Sequence, residues 1–292
     1  MREVVIIGVG MHPFGKFLDK SLKDLGRVAV WNAVRDAGIS PRDIQTAYVG
    51  NSLAGLITGQ EGVRGEVVLR DAGLGGIPII SVENACASGG TALRGAWLEV
   101  ASGLCDVALA LGVEKLYCDS TPKSIAALAA DSDLELARIG MQFTSIYAMR
   151  LRKYMEKYGA TKVHFAKVVE KNSYNGSLNP YAQHRRTLSV EEVLNSRVVA
   201  DPLTLYMCCS MGDGGAAAIL CTKDIARRFT DKPLVKIRAC ALRTGRFRLP
   251  KHVSIGEQDT AIETAQEAYE RAGVGPKDIQ VAEVHDAMAP AE

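Results

Sequence analysis

Short apolar runs alternate with stretches of helical periodicity along most of the chain. The apolar runs predict strands at residues 4–7, 47–49, 78–82, 107–113, 216–221 and 234–242. Apolar residues at helical spacing predict helices at residues 22–37, 86–102, 143–158, 164–174 and 260–272. Strands that alternate with helices predict an α/β protein whose mainly parallel sheet is covered by helices.

The first predicted helix carries signals at both ends. Ser21 followed by Asp24 resembles a capping box, in which each side chain bonds the backbone N–H of the other residue. Gly38 is a typical helix stop, since glycine adopts the left-handed conformation that ends many helices. Residues 115–205 differ from their flanks in being more polar and mostly helical, which predicts an inserted subdomain outside the sheet.

An internal repeat connects the two ends of the chain. Residues 33–49 and 268–284 align at a constant offset of 235, and nine of the seventeen aligned positions are identical. Two similar turns could converge on the shared glycine and proline, but convergence does not explain the matching strand that follows them. The repeat therefore favours a duplicated βα domain with a cleft between the two halves.

Composition and charge exclude several classes of function. The 292 residues are 47% hydrophobic and 23% charged, which suffices for a large core in one or two domains. A net charge of +2 without a basic run disfavours nucleic acid as a partner. The chain shows neither a leader-like start nor an apolar stretch of membrane-spanning length, so we expect a cytoplasmic protein without a membrane span.

Cysteine usage points to free thiols. The seven cysteines are an odd number without a CxxC pair, which argues against both a disulfide framework and a structural zinc site. Cys86 stands out because it follows the predicted strand 78–82 and begins a helix. Unpaired N–H groups at a helix start favour a thiolate and can stabilise an oxyanion, which predicts a nucleophile with a lowered pKa. A buried structural cysteine is the alternative, and placement alone does not decide between the two.

The helix after Cys86 is built from small residues. Residues 87–92 read Ala-Ser-Gly-Gly-Thr-Ala, and each glycine destabilises a helix by ~1 kcal/mol relative to alanine. We expect close backbone packing against a second copy of the chain or a substrate to compensate.

Several motifs together resemble the thiolase superfamily. The stretch 82–93, Val-Glu-Asn-Ala-Cys-Ala-Ser-Gly-Gly-Thr-Ala-Leu, is similar to its nucleophile motif. His285-Asp286 resembles the His-Asp motif of sterol-carrier-type thiolases, where other thiolases carry Asn-Glu. Residues 158–161, 171–172, 179–180 and 200–203 resemble the loop domain of that subfamily, and residues 213–217 its next strand entry. The resemblance spans essentially the whole chain in the family's order.

The resemblance implies two duplicated βαβαβ halves with an inserted, mostly helical loop domain. The corresponding domains are an N-terminal thiolase half at 1–114, the loop domain at 115–205, a return strand of the N-terminal half at 206–232, and the start of an incomplete C-terminal half at 233–292.

Thioester exchange is the reaction that the resemblance implies. Cys86 would take an acyl group from a 3-ketoacyl-CoA, acetyl- or acyl-CoA would leave, and a second CoA would accept the acyl group. His285 would bind the thioester oxygen in an oxyanion hole or position a water, the alternative being a histidine with a purely structural role at a strand end. Coenzyme A would be a co-substrate, with no permanently bound cofactor and no metal.

The resemblance also bears on partners and alternatives. It implies a homodimer or a dimer of dimers, formed along the strand before Cys86. Sterol-carrier-type relatives can pair with a small zinc-containing OB-fold protein, so a scaffold subunit acting with such a partner is one alternative. The other is a superfamily member without thiolysis, similar to hydroxymethylglutaryl-CoA synthase or to a retro-aldolase. The acyl group and the direction of the reaction stay open.

The repeat carries a further expectation. After Val49 the first copy continues with the nucleophile strand, its helix and another strand, whereas only a handful of residues follow Val284. No Gly-His-Pro sequence, the thiolase motif whose histidine would activate Cys86, occurs in the 292 residues. We therefore expect a complete protein of about 390 residues.

Overall fold

The computed structural model describes residues 1–131, 133–245 and 259–292. Its strands are β1 Val4–Gly15, β2 Thr46–Gly50, β3 Ile79–Val82, β4 Val107–Glu114, β5 Val198–Ala200, β6 Leu203–Thr204, β7 Asp213–Thr222 and β8 Val235–Lys236. Its helices are α1 Leu22–Ala37, α2 Ala54–Thr58, α3 Arg64–Asp71, α4 Ser88–Ser102, α5 Thr121–Ala129, α6 Leu134–Arg138, α7 Phe143–Tyr158, α8 Lys162–Leu178, α9 Val190–Asn195, α10 Lys223–Ala226 and α11 Asp259–Ala272. Among these described helices, none combines the length and apolar character needed to cross a membrane.

Residues 1–131 and 211–237 form one compact unit around a six-stranded sheet. The strand order is β3-β2-β4-β7-β1-β8, with β2 parallel to both β3 and β4. The remaining three pairings, β4 with β7, β1 with β7 and β1 with β8, are antiparallel. The α/β class is confirmed, but the expectation of a mainly parallel sheet is wrong. An apolar run identifies a strand without giving its direction, and β7 enters the sheet in the opposite direction to β4.

Helices cover both faces of this sheet. The apolar stripe of α1, which includes Leu25, Ala29 and Ala33, is fully buried in one core cluster with residues of the sheet. On the other face Ala96 and Val100 of α4 are equally buried in a second cluster. The predicted helix after Cys86 therefore supplies core residues to the sheet of its own chain.

Both end signals of α1 are confirmed. Asp24 N–H donates to Ser21 Oγ at 3.3 Å, and Ser21 N–H donates to Asp24 Oδ2 at 3.0 Å. Gly38 ends the helix with a φ of 70°, in the left-handed region. The Ser21 hydroxyl and N–H, with Arg27 beside them, lower the pKa of Asp24 from 3.8 to about 2.

This cap predicts a pH-dependent contribution to stability. The Asp24→Ala variant is expected to lose about 1 kcal/mol of unfolding free energy at pH 6, since the cap is lost. Because the pKa is lowered in the folded state, this contribution is present above pH 3.8 and lost as the pH falls toward 2. Urea unfolding at pH 6 and pH 3 measures it, with the exposed neighbour Lys23→Ala as control. A loss that is equal at both pH values would contradict the charged cap.

Residues 133–210, 238–245 and 259–292 belong to a second unit. Its core cluster joins α7, α8 and α9 through buried side chains that include Leu151, Phe165 and Val193. The helices predicted at 143–158, 164–174 and 260–272 are confirmed as α7, α8 and α11, with α8 longer than expected. The strand predicted at 234–242 is assigned only at β8. Residues 246–258 lie outside the described residues.

The two copies of the repeat differ in their surroundings. In the first copy Ile44, Ala47 and Val49 are buried, and β2 lies hydrogen-bonded between β3 and β4. In the second copy the matching Ile279 and Val284 are exposed, and residues 279–284 form no assigned strand. The same sequence pattern thus forms a strand only where neighbouring strands supply partners for its backbone.

Candidate active site

The carboxyl ends of β2, β3 and β4 lie at the same edge of the sheet, because these three strands are parallel. β2 is followed by Asn51 and Ser52, and β3 is followed by residues 83–86, which include Cys86. β4 ends at Glu114. Ligands of open α/β sheets bind outside the carboxyl ends of parallel strands, so this edge is the first place to expect chemistry.

Cys86 lies in a 3-10 turn, Ala85–Ala87, and is exposed. Ser88 holds the turn, because its Oγ accepts the N–H of Asn84 at 2.9 Å and donates to the carbonyl of Ala85 at 2.7 Å. Ala85 has a φ of 46°, a left-handed conformation that is rare for a residue with a side chain. The α-helix begins at Ser88, so the thiol precedes the first α-helical turn in which it was expected.

Glycines allow α4 to approach the sheet closely behind this turn. A Cβ on Gly50, at the end of β2, would lie 2.3 Å from the carbonyl oxygen of Ser88. A Cβ on Gly112 of β4 would lie 3.1 Å from the Cα of Gly89. The close packing expected for the small-residue helix is therefore made, among the described residues, with the sheet of its own unit.

Carboxylates dominate the charge around the thiol. Packing of protein atoms around the sulfur raises the pKa of Cys86 above its usual value, and the negative charges of Asp131 and Glu114 raise it further. The backbone N–H of Cys86 acts in the opposite direction but is outweighed. The expected lowering of the pKa is therefore wrong for this arrangement. The thiol form predominates at neutral pH.

The His-Asp motif belongs to the second unit, whereas Cys86 belongs to the first. His285 is exposed, and its ring forms no hydrogen bond with the described residues. Asp286 accepts a hydrogen bond from Asn172 Nδ2 at 2.6 Å, and the carbonyl of Ala287 accepts the N–H of Cys209 at 2.9 Å. These contacts anchor the motif to its own unit, and the role of His285 stays a prediction.

Within the second unit, a cavity of about 140 Å³ lies beside the motif. Asn172, Cys208 and Asp286 are among the side chains that line it. Val168 and Val169 of α8 add apolar surface to the same wall.

Sequence reasoning missed the polar residues that surround the nucleophile turn. Asn51, Ser52 and Glu114 form a hydrogen-bonded group at the same sheet edge as Cys86. The repeat held the signal for the first of them, since its offset of 235 aligns Asn51 with Asp286 of the His-Asp motif. The sequence signal for Glu114 as a site residue was weaker, since it is only a carboxylate that directly follows an apolar run.

Comparison with known proteins decides the family. Residues 4–224 match the model of the thiolase N-terminal domain. The chain belongs to the thiolase family. Family membership agrees with the motifs around Cys86 and makes the chain a thiolase-type acyltransferase.

Two relatives with similar sequences carry the names of enzymes that act on CoA thioesters. The present chain is 42% identical over 289 residues to an acetyl-CoA acetyltransferase of Methanothermobacter thermautotrophicus, and the match covers 99% of this chain and 75% of the relative. It is 39% identical over 293 residues to the benzoylsuccinyl-CoA thiolase subunit BbsB of Thauera aromatica, covering 100% of this chain and 74% of the relative.

The sterol-carrier resemblance of this thiolase-family chain is also confirmed. Sterol carrier protein 2 of Gallus gallus is 34% identical to it over 302 residues, covering 99% of this chain and 54% of the relative. A solved structure described as "Ltp2-ChsH2(DUF35) aldolase" superimposes with a TM-score of 0.79 at 25% identity. That superposition covers 99% of this chain and 74% of the solved one.

Proposed function

We propose that the chain transfers acyl groups between CoA thioesters and that Cys86 carries the acyl group. The position of Cys86 carries this proposal, since it lies in a strained turn where parallel strands end and directly before α4. Strained backbone at the carboxyl edge of a sheet is typical of catalytic nucleophiles. The names of the acetyltransferase and thiolase relatives support the same reaction.

The proposed reaction proceeds in two steps, formation of an acyl-cysteine and its cleavage by CoA. The Cys86 thiolate attacks the 3-keto carbon of a 3-ketoacyl-CoA, the bond between C2 and C3 breaks, and the departing acetyl-CoA carbanion takes up a proton. A second CoA thiolate then attacks the acyl-cysteine, and the bond from the acyl carbon to Cys86 Sγ breaks. Each attack places negative charge on a carbonyl oxygen, for which a His285 N–H donor is proposed.

The raised pKa of Cys86 adds a condition to this mechanism. Since the neutral thiol predominates at pH 7, its proton must leave before the attack. The rate of acyl-enzyme formation is therefore expected to rise with pH as the thiolate fraction grows.

Carbon–carbon cleavage without thiolysis is the second candidate, because one similar solved structure is described as an aldolase. An aldol cleavage needs no acyl-cysteine, so it does not depend on the thiol of Cys86. Thiolysis by contrast requires both this thiol and free CoA. The two candidates therefore differ in their dependence on CoA.

The deciding experiment incubates the protein with 3-ketoacyl-CoAs and, separately, with 3-hydroxyacyl-CoAs, which are the substrates of an aldol cleavage. Each series is run with and without free CoA, and the products are identified by mass spectrometry. Thiolysis predicts acetyl-CoA and a shortened acyl-CoA that form only when CoA is present. Cleavage of a 3-hydroxyacyl-CoA to acetyl-CoA and an aldehyde or ketone, equally with and without free CoA, would favour the aldolase-type reaction. The absence of any cleavage product, alone and with a co-expressed small OB-fold partner, would contradict both.

Two proposals about assembly accompany the reaction. β3 is the end strand of the sheet, and its far edge pairs with none of the described strands. We propose that two copies of the chain pair along this strand. The solved aldolase, whose description names a DUF35 component, supports a small partner protein as a second proposal.

A further inference from the structure

Glu114 receives an unusually complete set of donors at the end of β4. Its Oε1 accepts hydrogen bonds from Asn51 Nδ2 at 3.0 Å and from the N–H of Lys115 at 3.1 Å. Its Oε2 accepts the N–H groups of Ser52 at 2.9 Å and Leu53 at 3.1 Å. Burial raises the pKa of Glu114, whereas all four donors act in the opposite direction and favour its ionised form, because a proton on either oxygen would face an N–H group.

Asn51 is locked in one orientation by the end of β4. Its Nδ2 donates to the carbonyl of Val113 at 2.7 Å as well as to Glu114, so both of its hydrogens are used. The residue is 3% exposed, and its Oδ1 has no hydrogen-bond partner among the described residues. Reversing the amide would set its oxygen against two acceptors. A buried acceptor without a donor costs about 1–3 kcal/mol, so strong contacts must hold this orientation.

Ser52 connects this group to the nucleophile turn. Its single hydroxyl proton has two carboxylate acceptors within reach, Asp131 Oδ1 at 2.6 Å and Glu83 Oε1 at 3.5 Å, and donation to Glu83 makes the link to the turn. The same oxygen of Glu83 accepts the N–H of Ala85 at 2.5 Å. Ala85 is the residue in the left-handed conformation directly before Cys86.

We propose that Glu114 is a positioning residue for Cys86. Its carboxylate holds residues 51–53 in place after β2, and Ser52 and Glu83 transmit that order to the strained turn of the nucleophile. The hydrogen bonds of Glu114 do not depend on which reaction the chain catalyses. Only their expected effect on catalysis rests on the proposed function.

The charge of Glu114 supplies a readout that a purely structural role would not move. Among the described residues, the charges that act on the Cys86 thiol come from Asp131 after α5 and Glu114 on β4, and Glu83 after β3 acts in turn on Asp131. Removing the charge of Glu114 should lower the pKa of Cys86, because that charge disfavours the thiolate. The pH profile of thiol alkylation reports this directly, whether or not Cys86 takes part in catalysis.

The test compares Glu114→Gln and Glu114→Asp with Glu99→Gln, a matched control. Glu99 is a half-buried carboxylate of the same unit, but it binds Tyr48 and does not act on Cys86. Iodoacetamide alkylation of Cys86 is followed by peptide mass spectrometry across pH, alongside kcat and KM for acyl transfer. Glu114→Gln should shift the alkylation profile to lower pH and reduce kcat about 100-fold, with KM little changed.

Glu114→Asp separates position from charge. It keeps the negative charge but is one methylene shorter, so its alkylation profile should stay near that of the parent chain while kcat still falls. Glu99→Gln should alter neither quantity. Parent-like profile and kcat in Glu114→Gln would overturn the proposal.

Two further readouts keep the test decisive. If Glu114→Gln does not fold, Ser52→Ala removes the connecting hydroxyl and leaves the carboxylate in place. This variant should fold and show a lower kcat than the parent chain, and a parent-like kcat would overturn the proposal. If the parent chain shows no acyl transfer, the proposed function fails, whereas an alkylation shift in Glu114→Gln would still support the arrangement around Cys86.

Discussion

Cys86→Ala is expected to abolish the covalent acyl adduct and to reduce acyl transfer at least about 1,000-fold. The thiol is the only group of this residue that can form the thioester, and alanine removes it without adding bulk to an exposed turn. Intact-mass analysis after exposure to acetyl-CoA measures the adduct, and steady-state kinetics measure the transfer.

Cys118→Ala is the matched control for this prediction. Cys118 lies in the same unit, and hydrogen bonding with the Ser124 side chain and with the backbone of Ser120 lowers the pKa of its thiol. Its thiolate fraction should therefore exceed that of Cys86, which makes it the strongest competitor for a reactive acyl donor. The adduct is expected to persist in this variant. An adduct that survives Cys86→Ala but disappears in Cys118→Ala would show that Cys118 is the nucleophile and would contradict the assignment to Cys86.

Lys115→Ala is expected to lower the unfolding free energy by about 3–5 kcal/mol, because it leaves a buried charge without its counterion. Lys115 Nζ lies 2.7 Å from Asp213 Oδ2, and Asp213 is completely buried. The same carboxylate accepts the N–H groups of Leu116 and Tyr117 at 2.8 Å and of Phe17 at 3.1 Å. The pair therefore joins the end of β4 to the start of β7 and to the segment after β1.

Urea unfolding of the parent and the variant measures this loss, with Lys23→Ala as control. Lys23 pairs with Asp71 at 3.5 Å on the surface, so its replacement should change stability by less than about 1 kcal/mol. A loss of similar size in the two variants would show that the Lys115 pair is solvated rather than buried.

Local chemistry explains why much of the first unit could be predicted. The capping box of Ser21 and Asp24 acts within four residues, and the stop at Gly38 depends on the backbone of one residue. The strands at 47–49 and 107–113 are apolar enough to require burial wherever they lie. Signals of this kind need no knowledge of distant residues.

The chemistry of Cys86 depended on distant residues and was only partly predicted. Its place after a strand and before a helix was readable from the sequence, as was the family motif around it. The direction of its pKa shift was not readable, since it results first from burial of the sulfur in the folded chain and then from the charges of Asp131 and Glu114, which lie on separate elements. A helix start favours a thiolate only when burial of the sulfur and neighbouring carboxylates do not outweigh it.

The sequence by itself determined the element order, the duplicated segment, the family and the identity of the candidate nucleophile. Only the tertiary structure decided the antiparallel entry of β7, the approach of α4 to Gly50 and Gly112, and the donors gathered around Glu114. The repeat shows why the sequence predicts some features and not others. Ala47 is buried in a strand, whereas its counterpart Ala282 is exposed and lies in no assigned strand. Periodicity and caps act through neighbours in the chain, whereas strand direction, close approach and electrostatic fields depend on which distant segments meet.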